Sequence, residues 1–396
     1  MITCRCSLGL AIVLAGAMAC CGLVSAAEPA GGPQVVLIIG WDGAQRDHVK
    51  ECLARKELPV LQRLADEGAM VNIDIEGTTD TKAGWSQILT GYYPEITGVF
   101  SNGRYQPIPE GYSVPERLER HFGDDNIFTF ATIGKSGHVD ADPPKKTPYD
   151  EAAEKARAER LAAAGKKAPK PEGTIVEEDG VKYRVVPGKP HLNMSRNIDF
   201  FRNGLMLDEK VGTLAIELIE QHKGERMFGF IHFATVDHMG HKHGENSKEY
   251  NDALISNDTW TGKIIEKLKE LGLYGKSLIY VCADHGFDEG KTGHANAPYT
   301  VLATNDRGVM RDGLRQDIAP TVLVRFGLDL GQIEPKLDGV PLTQPCQRGE
   351  VVLGAASPHS GRAAAKTPKQ PKQPKQPGQP KQPRQGRKKQ PAGAAP

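Results

Sequence analysis

Gln34-Val35-Val36-Leu37-Ile38-Ile39-Gly40-Trp41-Asp42-Gly43 is a continuous apolar, β-branched run that a glycine closes and an aspartate follows. Such a run fits a parallel strand buried on both faces, because a half-buried strand would alternate apolar with polar residues. Downstream, Pro59 to Glu67 has helical spacing of its apolar residues and Ala69 to Ile75 reads as a strand, which makes one β-α-β unit. The pattern recurs with helix Val114 to His121 before strand Ile127 to Ile133. It recurs again with helix Leu207 to His222 before strand Met227 to Ala234, and with helix Asp258 to Leu271 before strand Ser277 to Ala283. This predicts an α/β domain, a doubly wound and mostly parallel sheet with helices on both faces. In such sheets chemistry collects at the carboxyl ends of the strands.

The flanks differ from this body. Met1 to Ala26 carries Arg5, an apolar stretch from Leu8 to Met18 and the small residues Val24-Ser25-Ala26, the pattern of a secretory signal (1–26) cut after Ala26. Lipidation at Cys20 or Cys21 ranks second, because Ala17 stands where a lipoprotein signal usually has Leu. Four of the seven cysteines lie in this segment, and Cys52, Cys282 and Cys346 are too few and too widely spaced for a disulfide framework. No other segment has the apolar length of a spanning helix, so a soluble protein in the periplasm or outside the cell is expected. The tail, 361–396, is a Lys-Gln-Pro repeat that can bury nothing; it reads either as a solvated linker or as a cationic tether for an anionic surface. Between signal and tail the domain is expected over 27–350, with Pro143 to Pro190 read as an insertion, 141–195 with its margins, around the charged helical run Tyr149 to Ala164.

Charge supports the same division. The 396-residue chain has 50 Lys+Arg and 49 Asp+Glu, but ten basic and no acidic residues fall from Arg362 onward. The first 26 residues hold one Arg and no acid, which leaves 39 basic against 49 acidic residues in the body. A body of that sign argues against specific nucleic-acid binding by the core, since phosphate neutralisation needs clustered Lys and Arg.

Three predicted strand ends carry metal-type ligands: Asp42 in Gly40-Trp41-Asp42-Gly43, Asp237 and His241 in Val236-Asp237-His238-Met239-Gly240-His241-Lys242-His243-Gly244, and Asp284 and His285 in Ala283-Asp284-His285-Gly286. His294 follows ten residues after Asp284. Each alone has a bland explanation, since an Asp before Gly is commonly a turn residue. Together, six carboxylates and imidazoles at strand ends of one sheet are what a site for two divalent metal ions needs, and zinc suits these donors. His238 and His243 are read as structural or supporting residues.

After strand Ala69 to Ile75 comes Thr78-Thr79-Asp80-Thr81-Lys82-Ala83-Gly84-Trp85-Ser86-Gln87-Ile88-Leu89-Thr90-Gly91-Tyr92-Tyr93-Pro94-Glu95. This segment resembles the nucleophile region of the alkaline phosphatase superfamily, in its type I phosphodiesterase/nucleotide pyrophosphatase branch. The nucleophile there starts a helix nine residues before the Thr-Gly of a Thr-Gly-x-Tyr-Pro-Glu turn, and counting back from Thr90 gives Thr81. Asp42 in an opening Asp-Gly, Asp237 and His241 in Asp-x-x-x-His-x-x-Gly, Asp284 and His285 in Asp-His-Gly, and His294 in a later Gly-His match the same family over roughly Val35 to Pro298. The resemblance implies an alkaline phosphatase-like core with one metal held by Asp42, Thr81, Asp284 and His285. The other would be held by Asp237, His241 and His294. It implies a phosphate ester substrate, diester or pyrophosphate, and a phosphothreonine intermediate on Thr81.

Two departures bear on the substrate. Nucleotide pyrophosphatases usually carry Asn three residues after the nucleophile, and this chain has Gly84 there, with Lys82 beside Thr81. Ile133-Gly134-Lys135-Ser136-Gly137-His138 resembles the Gly-Lys-Trp-His of sulfatases with the His one residue late, which makes Lys135 and Lys82 the substrate-binding candidates. A typical sulfatase is disfavoured, because Thr81-Lys82-Ala83-Gly84-Trp85 lacks the Cys/Ser-x-Pro-x-Arg whose first residue becomes an aldehyde hydrate. The alternatives on the same core are phosphomonoesterase, phosphonate hydrolase and sulfuric ester hydrolase. From another class stands a decayed enzyme core that works as a surface-binding protein through its basic tail, a reading that the complete ligand set disfavours.

Overall fold

The computed structural model of the chain describes residues 32–346, apart from 141–143, 168–171, 189, 190, 193 and 298. The expectations for the signal segment, the lipidation cysteines and the basic tail therefore lie outside the described residues.

The first half of the chain contributes β1 (Val35–Trp41), α1 (Arg46–Ala54), α2 (Pro59–Glu67), β2 (Ala69–Asp74), α3 (Thr81–Thr90), α4 (Pro94–Thr97), α5 (Val114–Phe122) and β3 (Phe128–Ile133). There follow β4 (Lys145–Pro148), α6 (Glu151–Ala163), β5 (Thr174–Glu178), β6 (Val181–Val186) and β7 (Phe200–Arg202). The second half adds α7 (Asp208–Gln221), β8 (Met227–Phe233), α8 (Thr235–His243), α9 (Lys248–Glu270), β9 (Ser277–Cys282), β10 (Tyr299–Thr304), β11 (Gly313–Leu314) and α10 (Ile318–Arg325).

Eight strands form one sheet in the order β11-β2-β10-β9-β1-β8-β3-β7. All neighbouring pairs are parallel except β10, which runs antiparallel to both β9 and β2. The fold is thus α/β with a mostly parallel sheet, as expected. Alternate residues of β1 enter different cores: Val35, Leu37 and Ile39 pack with α1, α2, α7 and α9, whereas Val36 and Ile38 pack with α3, α5 and α10. Each such buried aliphatic side chain contributes about 1.5–3 kcal/mol relative to exposure, which makes this central strand the part of the chain least tolerant of polar substitution. Gly40 belongs to the second series, and a Cβ there would lie 2.4 Å from the Trp85 ring. The glycine that closes the apolar run therefore lets α3 settle onto the sheet.

Three expectations are corrected. The strands of the first β-α-β unit are not neighbours, because β9 and β10 stand between β1 and β2. The chain reverses after β9 and returns as β10, a strand not anticipated. The helix read from Asp258 begins at Lys248, where Ser247 accepts from the Tyr250 N–H as its cap. Asp258 does cap a helix, but another one: its carboxylate accepts from the Val60 and Leu61 N–H groups at the start of α2. The stretch read as an insertion carries α6 and a separate three-stranded sheet, ordered β4-β6-β5. Among the described residues no helix is long and apolar enough to cross a membrane.

One buried ion pair ties the elements behind the sheet's carboxyl edge. His48 Nδ1 of α1 lies 2.6 Å from Glu245 Oε1, and Glu245 Oε2 accepts from the Gly290 N–H in the loop between β9 and β10. Burial opposes a charge on His48, but hydrogen bonds to Cys52 and Glu245 outweigh it and push the imidazole up from 6.5 to about 10. The folded value lies above the ordinary one, so this stabilisation is complete below pH 6.5 and is lost as the pH rises through about 10. The melting-temperature deficit of His48→Gln should accordingly be largest below pH 6.5 and shrink toward about pH 10. A deficit independent of pH in calorimetric scans would show that the pair is not charged.

Candidate metal centre and active site

Four adjacent strands, β9, β1, β8 and β3, end at the same edge of the sheet, with Gly40 in register with Cys282 on one side and His232 on the other. The residues that follow those ends must therefore meet. Asp42 follows β1, Asp284 and His285 follow β9, and Lys135 and His138 follow β3. Asp237 and His241 lie one turn apart on α8, which starts directly after β8. His294 comes in on the loop between β9 and β10, where the carbonyl of His294 accepts from the Thr79 hydroxyl at 2.5 Å. Thr81 is the first residue of α3, after the cap residue Asp80.

The sequence-predicted ligands are brought together. Ligand atoms of Asp42, Asp284 and His285 all lie within 4.8 Å of one another, and so do those of Asp237, His285 and His294. His241 joins the second group through Nε2, 3.2 Å from Asp237 Oδ1, with its ring 5.0 Å from that of His294. His285 stands between the groups: its Nε2 is 3.4 Å from Asp42 Oδ1, 3.4 Å from Asp284 Oδ2 and 3.9 Å from Asp237 Oδ1. Its Nδ1 lies 3.0 Å from the Gly286 carbonyl oxygen, which can only accept, so Nδ1 carries a proton and the ring points Nε2 at the carboxylates. His241 repeats the arrangement, with Nδ1 2.9 Å from the Thr292 carbonyl oxygen.

Asp42 Oδ1, Asp237 Oδ1 and Asp284 Oδ2 are buried without a hydrogen-bond donor. Three orphaned carboxylate oxygens around one imidazole nitrogen are unfavourable as they stand, because a buried unsatisfied polar atom costs about 1–3 kcal/mol and a charged one more. The donor set fits divalent cations, whose charge would remove that penalty.

The local electrostatics have the same origin. Burial raises Asp284, repulsion from Asp42 and Asp237 adds to it, and the carboxyl stands well above its ordinary range despite the nearby Arg315 charge. Burial also works on Asp42, but hydrogen bonds from His138 and His232 outweigh it and hold that group well below the usual carboxylate range. On Asp237, burial and Asp42 push upward, while His241, His285 and Lys135 prevail and bring it to about 2. Burial and the neighbouring His285 depress His294 to about 4, so this imidazole is neutral at physiological pH, as a metal ligand must be.

Thr81 Oγ1 lies 3.1 Å from His285 Nε2 and is 2% exposed. Its hydroxyl faces the carboxylate cluster; the cap position of α3 is held by Asp80, whose side chain makes no cap hydrogen bond and accepts from the Asn102 N–H instead. Lys135 Nζ lies 2.6 Å from Asp237 Oδ2, so this substrate-binding candidate sits within the cluster. Burial opposes its charge, but Asp237 and Asp42 keep it raised, and the ammonium persists at neutral pH. The other candidate, Lys82, is placed differently: its ammonium lies 4.0 Å above the Tyr105 ring and 3.5 Å from the Asn102 carbonyl oxygen, contacts that turn it to the loop after α4. The helical pitch of α3 separates it from the Thr81 direction. His238 and His243, read as structural or supporting, are exposed on the outer face of α8. Gly84 replaces the family's Asn for a steric reason, since a Cβ there would lie 2.7 Å from Asp284 Cβ.

Sequence reasoning missed two features. His232, the polar residue inside the apolar run Met227 to Ala234, lies 2.9 Å through Nε2 from Asp42 Oδ2, and its placement in that run was a usable signal. Arg315, fully buried, donates to the Asp284 carbonyl at 2.7 Å, the Thr78 carbonyl at 2.9 Å and Gln87 Oε1 at 3.0 Å. It joins the Asp284 loop to both ends of the approach to Thr81, and no local motif marks it.

Residues 36–347 match the family model described as type I phosphodiesterase / nucleotide pyrophosphatase. The human bis(5'-adenosyl)-triphosphatase ENPP4 is 22% identical over 262 residues, 65% of this chain and 48% of that protein. GPI ethanolamine phosphate transferase 2 of Schizosaccharomyces pombe is 27% identical over 124 residues, 25% of this chain and 16% of the relative. The chain spans about half the length of the ENPP4 relatives it matches. Among solved structures, a protein in the alkaline phosphatase superfamily from Vibrio parahaemolyticus superposes with TM-score 0.49 at 15% identity, over 80% of this chain and 71% of the other. The lipoteichoic acid synthase LtaP from Listeria monocytogenes gives TM-score 0.47 at 16% identity, over 79% and 76%. With a family match that runs from the first strand past the last helix, the chain belongs to the type I phosphodiesterase / nucleotide pyrophosphatase family.

Proposed function

We propose that the protein is a metal-dependent hydrolase of phosphodiesters or pyrophosphates that works through a phosphothreonine on Thr81. The observation that carries this is the convergence of three orphaned carboxylate oxygens, His285 Nε2 and the Thr81 hydroxyl at one sheet edge. Two divalent ions, zinc by donor type, would be held by Asp42, Thr81, Asp284 and His285 and by Asp237, His241 and His294; they would supply the positive charge that makes the threonine hydroxyl acidic and shields the phosphoryl oxygens.

The chain's own groups define the rest. Attack forms the Thr81 Oγ–phosphorus bond and breaks the bond to the leaving oxygen. Water then attacks the phosphothreonine from the opposite side and restores the hydroxyl, so two inversions give net retention. Lys135, charged and at the rim of the cluster, binds a phosphoryl oxygen. The ENPP4 relatives are bis(5'-adenosyl)-triphosphatases by name, which supports a nucleotide pyrophosphate as substrate. The signal pattern of residues 1–26 supports action in the periplasm or outside the cell, and an exported mature protein should begin at Ala27 on N-terminal sequencing.

Thr81→Ala should lower turnover by orders of magnitude without loss of metal, whereas Thr81→Ser should retain part of it because a hydroxyl remains. Acid-quenched enzyme should carry label from substrate on Thr81. A panel of zinc-loaded protein with a diester, a dinucleoside triphosphate, a monoester, a phosphonate and a sulfate ester ranks the substrate classes. Wild-type turnover by Thr81→Ala, or inversion at a chiral phosphorus, would refute the covalent route.

Asp284→Asn tests the metal centre separately. Burial and the neighbouring Asp42 and Asp237 disfavour a charge on the folded Asp284, so its replacement by a neutral amide should leave the melting temperature of chelated protein unchanged or higher. Zinc should raise the melting temperature of the wild type and not that of the variant. Equal zinc shifts in both proteins would show that Asp284 holds no ion.

A further inference from the structure

A third group of potential ligand atoms, from Asp42, His138 and His232, also lies within 4.8 Å, and neither predicted metal position uses its two histidines. His138 Nδ1 is 3.1 Å and His232 Nε2 is 2.9 Å from the same oxygen, Asp42 Oδ2. We propose that His138 and His232 are positioning residues that clamp Asp42 Oδ2 with two N–H donors and leave Oδ1 as the one oxygen of that carboxylate available to a metal ion. The inference rests on the metal-centre reading above and deepens it.

The far nitrogen of each ring separates a clamp from a third metal site. His285 and His241 donate Nδ1–H to backbone carbonyls, which points Nε2 at the carboxylates and leaves that nitrogen as the one that could ligate. His232 lacks that support: its Nδ1 is buried without a partner, beside the Trp85 ring at a centroid distance of 5.2 Å. A proton on Nδ1 would be a buried unpaired donor, the rarer defect in folded proteins, so the proton belongs on Nε2, where Asp42 Oδ2 accepts it. A neutral ring protonated at Nε2 cannot ligate through that nitrogen. His138 approaches from the turn after β3, and that turn is held because the His138 carbonyl accepts from His191 Nε2 at 3.0 Å. With Oδ2 engaged twice, Asp42 cannot rotate its carboxylate, and the orphaned Oδ1 stays 3.4 Å from His285 Nε2.

The test has a spectroscopic and a binding arm. In a long-range proton–nitrogen spectrum of metal-free protein labelled at histidine, His232 should be the Nε2–H tautomer; a ring protonated at Nδ1 overturns the clamp. In zinc competition against a fluorescent chelator, His232→Gln and His138→Asn place an amide N–H where the imidazole had one. They should stay within about threefold of wild type, whereas His232→Met and His138→Leu, folded by their melting curves, should weaken one zinc site by about 10–100-fold. Equal loss in the amide and apolar variants, or a third ion in the wild type that His232→Met removes, overturns the proposal. A wild type that takes up no zinc defeats the metal-centre reading instead, and the tautomer spectrum then decides the clamp alone.

Discussion

Asp42, Asp237 and Asp284, three carboxylates buried side by side where β1, β8 and β9 end, are the constraint around which the rest of the molecule is arranged. Two unit charges about 4 Å apart repel by about 4 kcal/mol at an effective dielectric constant near 20, and here three such groups share one pocket. The chain meets this partly with its own cations and dipoles. Lys135 reaches Asp237, two imidazoles reach Asp42, and the Gly43 N–H reaches Asp284. The three oxygens left over are the part of the problem that the protein's own donors do not meet, and it is there that the proposed cations would act. Such a site sacrifices stability for chemistry, and it persists because two apolar cores on either face of the sheet supply the stability elsewhere.

Position is then maintained by parts that never meet the substrate. The loop between β9 and β10 brings His294 against His285, ring centroids 3.9 Å apart, and that loop is fastened by Glu245 at Gly290 and by Asp288 at the Asn296 N–H. Arg315 fastens the opposite side. Because its guanidinium is buried, with its affinity for a proton lowered to about 10 by that burial, its three hydrogen bonds have no competition from water. Thr81 thus owes its direction to a helix start held on one side by Arg315 and on the other by Asn102, whose Oδ1 accepts from the Lys82 N–H.

The ligand set was legible because strand ends and metal-type side chains coincide: an apolar run followed by Asp, or by Asp-His, states both where the chain turns and what chemistry waits there. Thr81 was legible only through its distance from Thr90-Gly91, since a threonine before a helix is otherwise a cap. The strand order was illegible for a physical reason. Periodicity reports that a segment is a strand buried on both faces, but it carries nothing about the neighbour, and β10 found its place by a chain reversal that no residue pattern announces. Asp258 shows the same limit on a smaller scale: read as the start of a helix, it lies inside α9, and its side chain caps the helix packed against it. Arg315 and His232 act across the fold, at sequence separations where only the tertiary structure supplies the partner.

Gly84 carries the last consequence. In this chain α3 packs so closely on the Asp284 loop that the position one turn into the helix admits no side chain, with Asp284 Cβ 2.7 Å and Arg315 Nη1 2.9 Å from where a Cβ would be. The helix that presents Thr81 therefore cannot also present an amide from that position. Under the proposed function, polar contact to the transferred group would come from across the pocket, where Lys135 at the end of β3 offers a point charge on a flexible stem. An ammonium recognises anionic oxygens with little regard for their geometry. The exchange thus shifts discrimination away from the reacting phosphorus and toward whatever binds the remainder of the substrate, which is the part of the molecule where chains built on one catalytic core differ most.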